Sequence, residues 1–187
     1  MLSDSGSGVV RQSRQRLEAA LKDGTARGAL LVKMIKGEGL TAADVGGTSD
    51  PYALVGLYKE QLWADRHKPL KDLSKKTAVK TKIIKKTLDP VWDQVLEIPI
   101  TQKSLKNKCG IRVQIWDWDR ASGDDFLGET AFLWSEVVAN MDTSTPGSFA
   151  AAPLTRELQP RNAVKKKDDL KVQGSVQLAF AWRPDEH

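Results

Sequence analysis

IRVQIWDWDRASGDDFLG, residues 111–128, divides into two halves of opposite character. In the first, Ile111, Val113 and Ile115 fall on one side of an extended chain and Arg112, Gln114 and Trp116 on the other. That is the period-two signal of a strand with one face buried. The second half crowds Asp117, Asp119, Asp124 and Asp125 around Gly123, which permits a sharp turn, before Phe126, Leu127 and Gly128 resume the apolar pattern. Carboxylates this close repel one another, and a folded loop tolerates them best with a cation among them; hard oxygen donors suit calcium or magnesium. The spacing is not that of an EF-hand. Counted from Asp117, position 5 is Ala121, position 6 is Ser122 and position 12 is Gly128, where that loop needs an oxygen donor, a glycine and a glutamate. Strands rather than helices flank the loop, so a cation here needs further ligands from elsewhere in the chain.

Outward from this stretch the chain is mostly short alternating runs. Ala29 to Lys36 is a strand with Leu30, Val32 and Met34 on one side; Tyr52 to Tyr58 is a second, entered through Asp44, two glycines, Asp50 and Pro51. Residues 59–74 form a long basic connection. From Lys75 to Ile84 the β-branched Thr77, Val79, Thr81 and Ile83 take one face, and Lys80 and Lys82 the other, with Lys76 in line. This pattern predicts a strand presenting a row of lysines. Asp89-Pro90 sets a turn before the strand of Leu96, Ile98 and Ile100. Beyond the acidic loop come a strand over Phe126 to Leu133, a short helix over 135–140 with Ser135 as its cap, a loop-rich insertion over 142–173 with a short strand near Leu154, and a closing strand. In that last strand Val176, Leu178, Phe180 and Trp182 are expected to face the core, with Ser175, Gln177, Ala179 and Ala181 outward. Eight such runs argue an all-β fold, an eight-stranded antiparallel β-sandwich. At the other end, residues 1–8 read as disordered and Val9 to Lys22 as a poorly ordered linker helix lined by Val10, Leu17 and Leu21. The expected organisation is an N-terminal extension over 1–27, one domain over 28–183 and a tail over 184–187.

A chain of 187 residues with 40 % hydrophobic content is large enough for one real core. Its net charge of +5 is unevenly spread: Arg66 to Lys86 holds nine Lys or Arg and one Asp, a local +8, which leaves −3 for the remainder. A basic patch beside an acidic loop implies an anionic partner. The single Cys109 excludes an internal disulfide framework and fits a reducing compartment. No run is long enough to span a bilayer, and no secretory or myristoylation signal opens the chain. Enzyme chemistry has no obvious participants. The histidines are His67, in the basic connection, and the terminal His187, and no nucleophile motif is present. Nor does any aromatic-interleaved basic motif point to nucleic acid.

Four blocks together resemble the C2 domain, a calcium- and lipid-binding β-sandwich. GALLVKMIKGEGL resembles its opening strand, GGTSDPYALV its SDPY block, KTKIIKKTLDPVWDQ its basic strand and following turn, and WDWDRASGDDFLG its third calcium loop. Because the chain opens on GALLVKM and closes on GSVQLAFAW, the order resembles the second, circularly permuted topology of that family.

The resemblance implies two or three calcium ions held by Asp44 and Asp50 from one loop and Asp117, Asp119 and Asp125 from the other, with Ser122 and the carbonyls of Val45 and Trp118 as further donors. It leaves Asp124 outside the ligand set, as a supporting or solvated charge. Trp118 and Val45 would insert into a membrane at the headgroup level. Tyr52, Trp116, Lys80 and either Lys82 or Lys76 would contact lipid, although Ala78 stands where one family lysine is expected. The partners so implied are phosphatidylserine and phosphoinositides, with protein partners through the N-terminal helix, for a cytoplasmic protein that becomes peripheral to membranes on binding calcium. The rival expectation is a calcium-independent module for phosphoinositide or protein.

Overall fold

Alternation builds two sheets that bury their apolar rows against each other. In the computed structural model, residues 5–44, 46–59, 71–121, 123–161 and 171–186 are described. Val45, Ser122, His67 and His187, on which some of the expectations above fall, lie outside them. The chain runs α1 (Ser5–Asp23), β1 (Gly28–Glu38), β2 (Pro51–Tyr58), β3 (Val79–Lys80), β4 (Val91–Ile100), α2 (Gln102–Leu105), β5 (Gly110–Asp117), β6 (Asp125–Leu133), α3 (Trp134–Ala139), β7 (Met141–Asp142), β8 (Leu154–Glu157) and β9 (Ser175–Pro184).

One sheet has the order β4-β1-β9-β7, with β8 also on β9; the other is β3-β2-β5-β6. The sandwich is the expected one, with nine strands among the described residues rather than eight, two of them only two residues long. The pairings of these strands are antiparallel except for the short β7–β9 pair. The terminal strand β9 lies beside the opening strand β1, from Gly28 opposite Pro184 to Glu38 opposite Ser175, as the permuted topology requires. Leu30, Val32 and Met34 of β1, Ile111, Val113 and Ile115 of β5, and Val176, Leu178 and Phe180 of β9 share one core.

Several elements depart from the sequence reading. The linker helix is part of the body: helix α1 begins at Ser5 within the stretch expected to be disordered, and Leu21 is fully buried in the main core with Leu17 and Ala20 packed against it. Arg14 Nη2 donates to the carbonyl of Met141 at 2.9 Å and the Ser13 and Thr143 hydroxyls meet at 2.7 Å, which ties the helix to β7. Packing thus supplies what helix propensity lacks. Helix α3 is capped at Leu133, with Ser135 inside it.

The lysine strand shortens to Val79–Lys80, paired with Val55 and Leu54. Thr81 Oγ1 accepts the Ala53 N–H at 2.9 Å, taking a bond that a ladder carbonyl would otherwise make. Thr77 and Ile83 are not buried, so the four β-branched residues do not share a buried face. In β9, Ala179 and Ala181 lie on the outer face as expected but are buried there, and Trp182 is only half-buried. Phe149, from the 142–173 insertion, packs on Ala181, Ala29 and Leu31 and covers the outer face there.

The outer face of β5 is covered as well, where the alternation predicts an exposed one. Arg112, Gln114 and Trp116 are all buried. Gln114 takes the Leu73 N–H at 2.8 Å and donates to Asp72 at 3.2 Å and Glu129 at 3.0 Å, while Arg112 donates to Glu129 Oε2 at 2.9 Å and to the Lys71 carbonyl at 2.8 Å. Residues 71–73 at the end of the first insertion therefore fasten to this face. On the other side Gln159 exchanges backbone bonds with Glu129, and Gly128, at φ 145°, admits Leu158, whose Cβ would stand 2.8 Å from any added Cβ.

Candidate functional site

Strand pairing gathers the first group of predicted residues. One rung places Pro51 of β2 opposite Asp117 of β5, and Asp117 opposite Asp125 of β6, with Asp50 next in the chain to Pro51. Asp117 is only 2 % exposed and its Oδ1 accepts the Asp50 N–H at 2.5 Å. Trp118 returns its N–H to the Asp50 carbonyl at 3.1 Å, so the two loops are stitched at their bases. Asp50 Oδ1 accepts the N–H of Lys86, a left-handed residue at φ 56°, at 2.8 Å.

The loop of Asp44 is pinned by Ser49, fully buried, whose Oγ accepts the Ala43 N–H at 3.0 Å and donates to the Thr41 carbonyl at 3.1 Å. Asp119 Oδ1 accepts the Ala121 N–H at 2.7 Å, within its own loop. Burial pushes the Asp117 carboxyl up to about 6, and the charges of Asp44 and Asp50 add to the effect against the lowering bonds from the Asp50 N–H and Ser49. A carboxylate destabilised by burial and by two neighbours of its own sign is a cation's natural partner. The donor set of hard oxygens fits calcium, and the main-chain bonds fix Asp50 and Asp117. Among the described residues, however, no group of three carboxylates is gathered closely enough to hold an ion as it stands.

The second group lies on the outer face of the four-stranded sheet. Tyr52, Trp116 and Phe126 form a row across β2, β5 and β6. Phe126 meets Trp116 edge-on at 5.5 Å, and the Arg161 guanidinium covers both, 5.1 Å from the Trp116 ring and 4.3 Å from that of Phe126. Trp116 is left 8 % exposed. At the end of the row the Tyr52 hydroxyl donates to Asp124 Oδ2 at 2.6 Å, and Lys75 Nζ forms a short ion pair with the same oxygen while lying over the Tyr52 ring. Burial and the bond to Asp124 raise the Tyr52 hydroxyl to about 12. Burial raises Asp124, but Lys75, Tyr52 and the Asp119 N–H outweigh it and hold the carboxyl below the usual range.

Asp124 is thus not a solvated charge. Trp118, expected at an exposed loop tip, is half-buried against the Tyr52–Trp116 cluster, with Lys85 Nζ 5.7 Å from its ring. Lys80 is exposed opposite Leu54, on the same face as Tyr52, and Lys82 is exposed with its N–H on Gln94. Lys76 is exposed in a turn, its N–H on Ser74 Oγ at 3.3 Å. The sequence alone does not single out Lys75, Lys85 or Arg161. Their partners stand 49 residues away for Lys75 and in other elements for the rest, and no local pattern records such pairing.

A family model described as "C2 domain" matches residues 28–149. Among curated proteins, Tricalbin-3 of Saccharomyces cerevisiae is 33 % identical over 128 residues, 65 % of this chain and 7 % of the relative. Synaptotagmin-10 of Rattus norvegicus is 36 % identical over 100 residues, 54 % of this chain and 16 % of the relative. The chain therefore spans less than a fifth of the length of these relatives. Among solved structures, a C2 domain of plant Extended Synaptotagmin 1 aligns over 87 % of this chain and 98 % of its own, with TM-score 0.56 and 19 % identity, a likeness of fold. A calcium-bound fragment of Extended-Synaptotagmin 2 holding two C2 domains aligns over 84 % of this chain and 46 % of its own, with TM-score 0.51 and 19 % identity.

Proposed function

The chain belongs to the C2 domain family, and we propose that it binds anionic phospholipid membranes in response to calcium, with its basic face adding contact to phosphatidylserine or phosphoinositide. The observation that carries this reading is the rung of β2, β5 and β6 that sets Asp50, Asp117 and Asp125 at one rim with Asp117 buried. Asp44 acts on Asp117 electrostatically from the neighbouring loop. Five carboxylates carry about −5 and repel an anionic surface, and two calcium ions bring the rim to about −1. When bound, calcium supplies that charge and open coordination positions for lipid phosphate.

The chain's own residues do the rest. Asp44, Asp50, Asp117, Asp119 and Asp125 would hold the ions, helped by Ser122 and the carbonyls of Val45 and Trp118. Release of Trp118 from the Tyr52–Trp116 cluster, together with Val45, gives an amphipathic ring and an apolar tip to seat at the headgroup level. Exposed Lys80, Lys82 and Lys76 contribute roughly 1 kcal/mol each near an anionic surface. No described helix is long and apolar enough to cross a membrane, and peripheral attachment from the cytoplasm is the arrangement proposed.

Co-sedimentation with phosphatidylserine-containing liposomes, with calcium and with chelator, tests the reading. Wild type is expected to pellet with calcium alone, and Asp117→Asn/Asp119→Asn to stay in solution under both conditions. Equal pelleting of both proteins in chelator would overturn the calcium switch and leave the basic face as the working surface.

A further inference from the structure

The tyrosine and lysine at the end of the outer aromatic row already hold an anion, and it belongs to the chain. The Tyr52 hydroxyl and the Lys75 ammonium converge on one oxygen, Asp124 Oδ2, while Asp124 Oδ1 accepts the Asp119 N–H at 3.2 Å. A hydroxyl and an ammonium aimed at a single anionic oxygen is the arrangement that a phosphate oxygen requires. We propose that Asp124 is a built-in competitor for phosphate: its carboxylate occupies the Tyr52–Lys75 site, and a phosphomonoester gains that site only by displacing it. The proposal rests on the anionic-lipid part of the function above and deepens it by naming the residue that sets headgroup selectivity.

Three features favour a displaceable plug over a fixed strut. The Lys75 side chain is 57 % exposed and that of Asp124 only 11 %, so a ligand meets the cation first. Solvent screens the pair at its exposed Lys75 end, which limits what the ion pair adds to holding Asp124 in place. Asp124 sits in the turn between Gly123, at φ 89°, and the first residue of β6, so it swings away without breaking a ladder. The rest of the row is closed, since Arg161 and Phe126 cover Trp116, and Tyr52 with Lys75 is the part of it that offers donors. Exposed Lys80 lies on the same face to receive a second phosphate. A phosphomonoester carries up to two charges and three acceptor oxygens, against one charge for a phosphodiester, and so offsets the displacement of Asp124 where phosphatidylserine does not.

The test uses the full chain in chelator throughout, so its outcome is independent of whether the calcium site fills. Wild type, Asp124→Asn, Lys75→Gln and the double variant are titrated with phosphatidylcholine vesicles carrying phosphatidylinositol bisphosphate, with phosphatidylserine vesicles of matched charge, and with soluble inositol trisphosphate. Asp124→Asn keeps the hydrogen-bonding shape and removes the competing charge. It is expected to tighten phosphoinositide binding about five- to tenfold, with less than about twofold on phosphatidylserine, and the double variant is expected to lose the gain. A gain shared by vesicles and soluble trisphosphate assigns the site to the lipid headgroup; a gain with the soluble ligand alone assigns it to free inositol phosphate; either supports the plug. No gain, or an equal gain on both vesicle types, overturns it. Should Asp124→Asn misfold, the Asp119 amide resonance of wild type gives a second reading. It is expected to shift as inositol trisphosphate saturates, because its acceptor is displaced; saturation that leaves it unmoved overturns the proposal. Failure here leaves calcium-dependent sedimentation with phosphatidylserine standing, and loss of that sedimentation leaves this result standing.

Discussion

The two faces of β5 are equally buried by opposite means. Inward, Ile111, Val113 and Ile115 meet an apolar core built from both sheets. Outward, Arg112 and Gln114 are sealed under residues 71–73 by a network of charge and amide, with Glu129 as its shared acceptor. The inner face draws on the removal of apolar surface from water, which is non-directional and tolerates adjustment. The outer face depends on each donor finding its acceptor, and is unforgiving when one is removed. Among the described residues Glu129 Oε1 finds no hydrogen-bond partner, so that network has little slack.

Arg112→Ala breaks this contrast most sharply. It strands the buried Glu129 carboxylate and is expected to cost about 3–5 kcal/mol in urea unfolding, whereas the double Arg112→Met/Glu129→Leu recovers most of the loss. A double variant as unstable as the single would mean that the network, and not the uncompensated charge, holds residues 71–73 down. On the inner face, Ile115→Ala is expected to cost about 2–4 kcal/mol by cavity formation, with no rescue from a charge change elsewhere. The smallest effect is expected at the margin of the outer face. Arg161→Ala removes the guanidinium over Trp116 and Phe126, costs about 1 kcal/mol, and raises the quenching of tryptophan fluorescence by acrylamide. Unchanged quenching would show that other chain covers Trp116.

This contrast also governs what the sequence discloses. Period-two alternation names Ile111, Val113 and Ile115 because a buried face leaves a local rhythm. The same rhythm assigns Arg112, Gln114 and Trp116 to solvent, since nothing local announces that Leu73 and Arg161 will cover them. Asp50, Asp117 and Asp125 lie at or beside strand ends, so the strand register that alternation discloses also brings these three to one rung. Asp124 reads as a supporting or solvated charge because its partners, Tyr52 and Lys75, come from other parts of the chain. The lysine strand misleads in the opposite direction. Thr81 fits the alternation, yet its hydroxyl takes the Ala53 N–H and ends the ladder. The helix at the start reads as weak because, taken alone, it is; Leu21 gains its place from a core that the helix does not contain.

The position of β9 has a consequence in time. It lies between β1 and the short strands β7 and β8, so one edge of β1 has no partner until residues 175–184 have been made. At about 5–20 residues per second a ribosome needs on the order of ten seconds or more to travel from the end of β1 to the end of β9. Throughout that interval Leu30, Val32 and Met34 stand beside an open hydrogen-bonding edge, able to pair with other nascent chains. The nascent domain is therefore most vulnerable to aggregation until β9 has been made, and holding factors on the ribosome would find their substrate in β1 rather than β9.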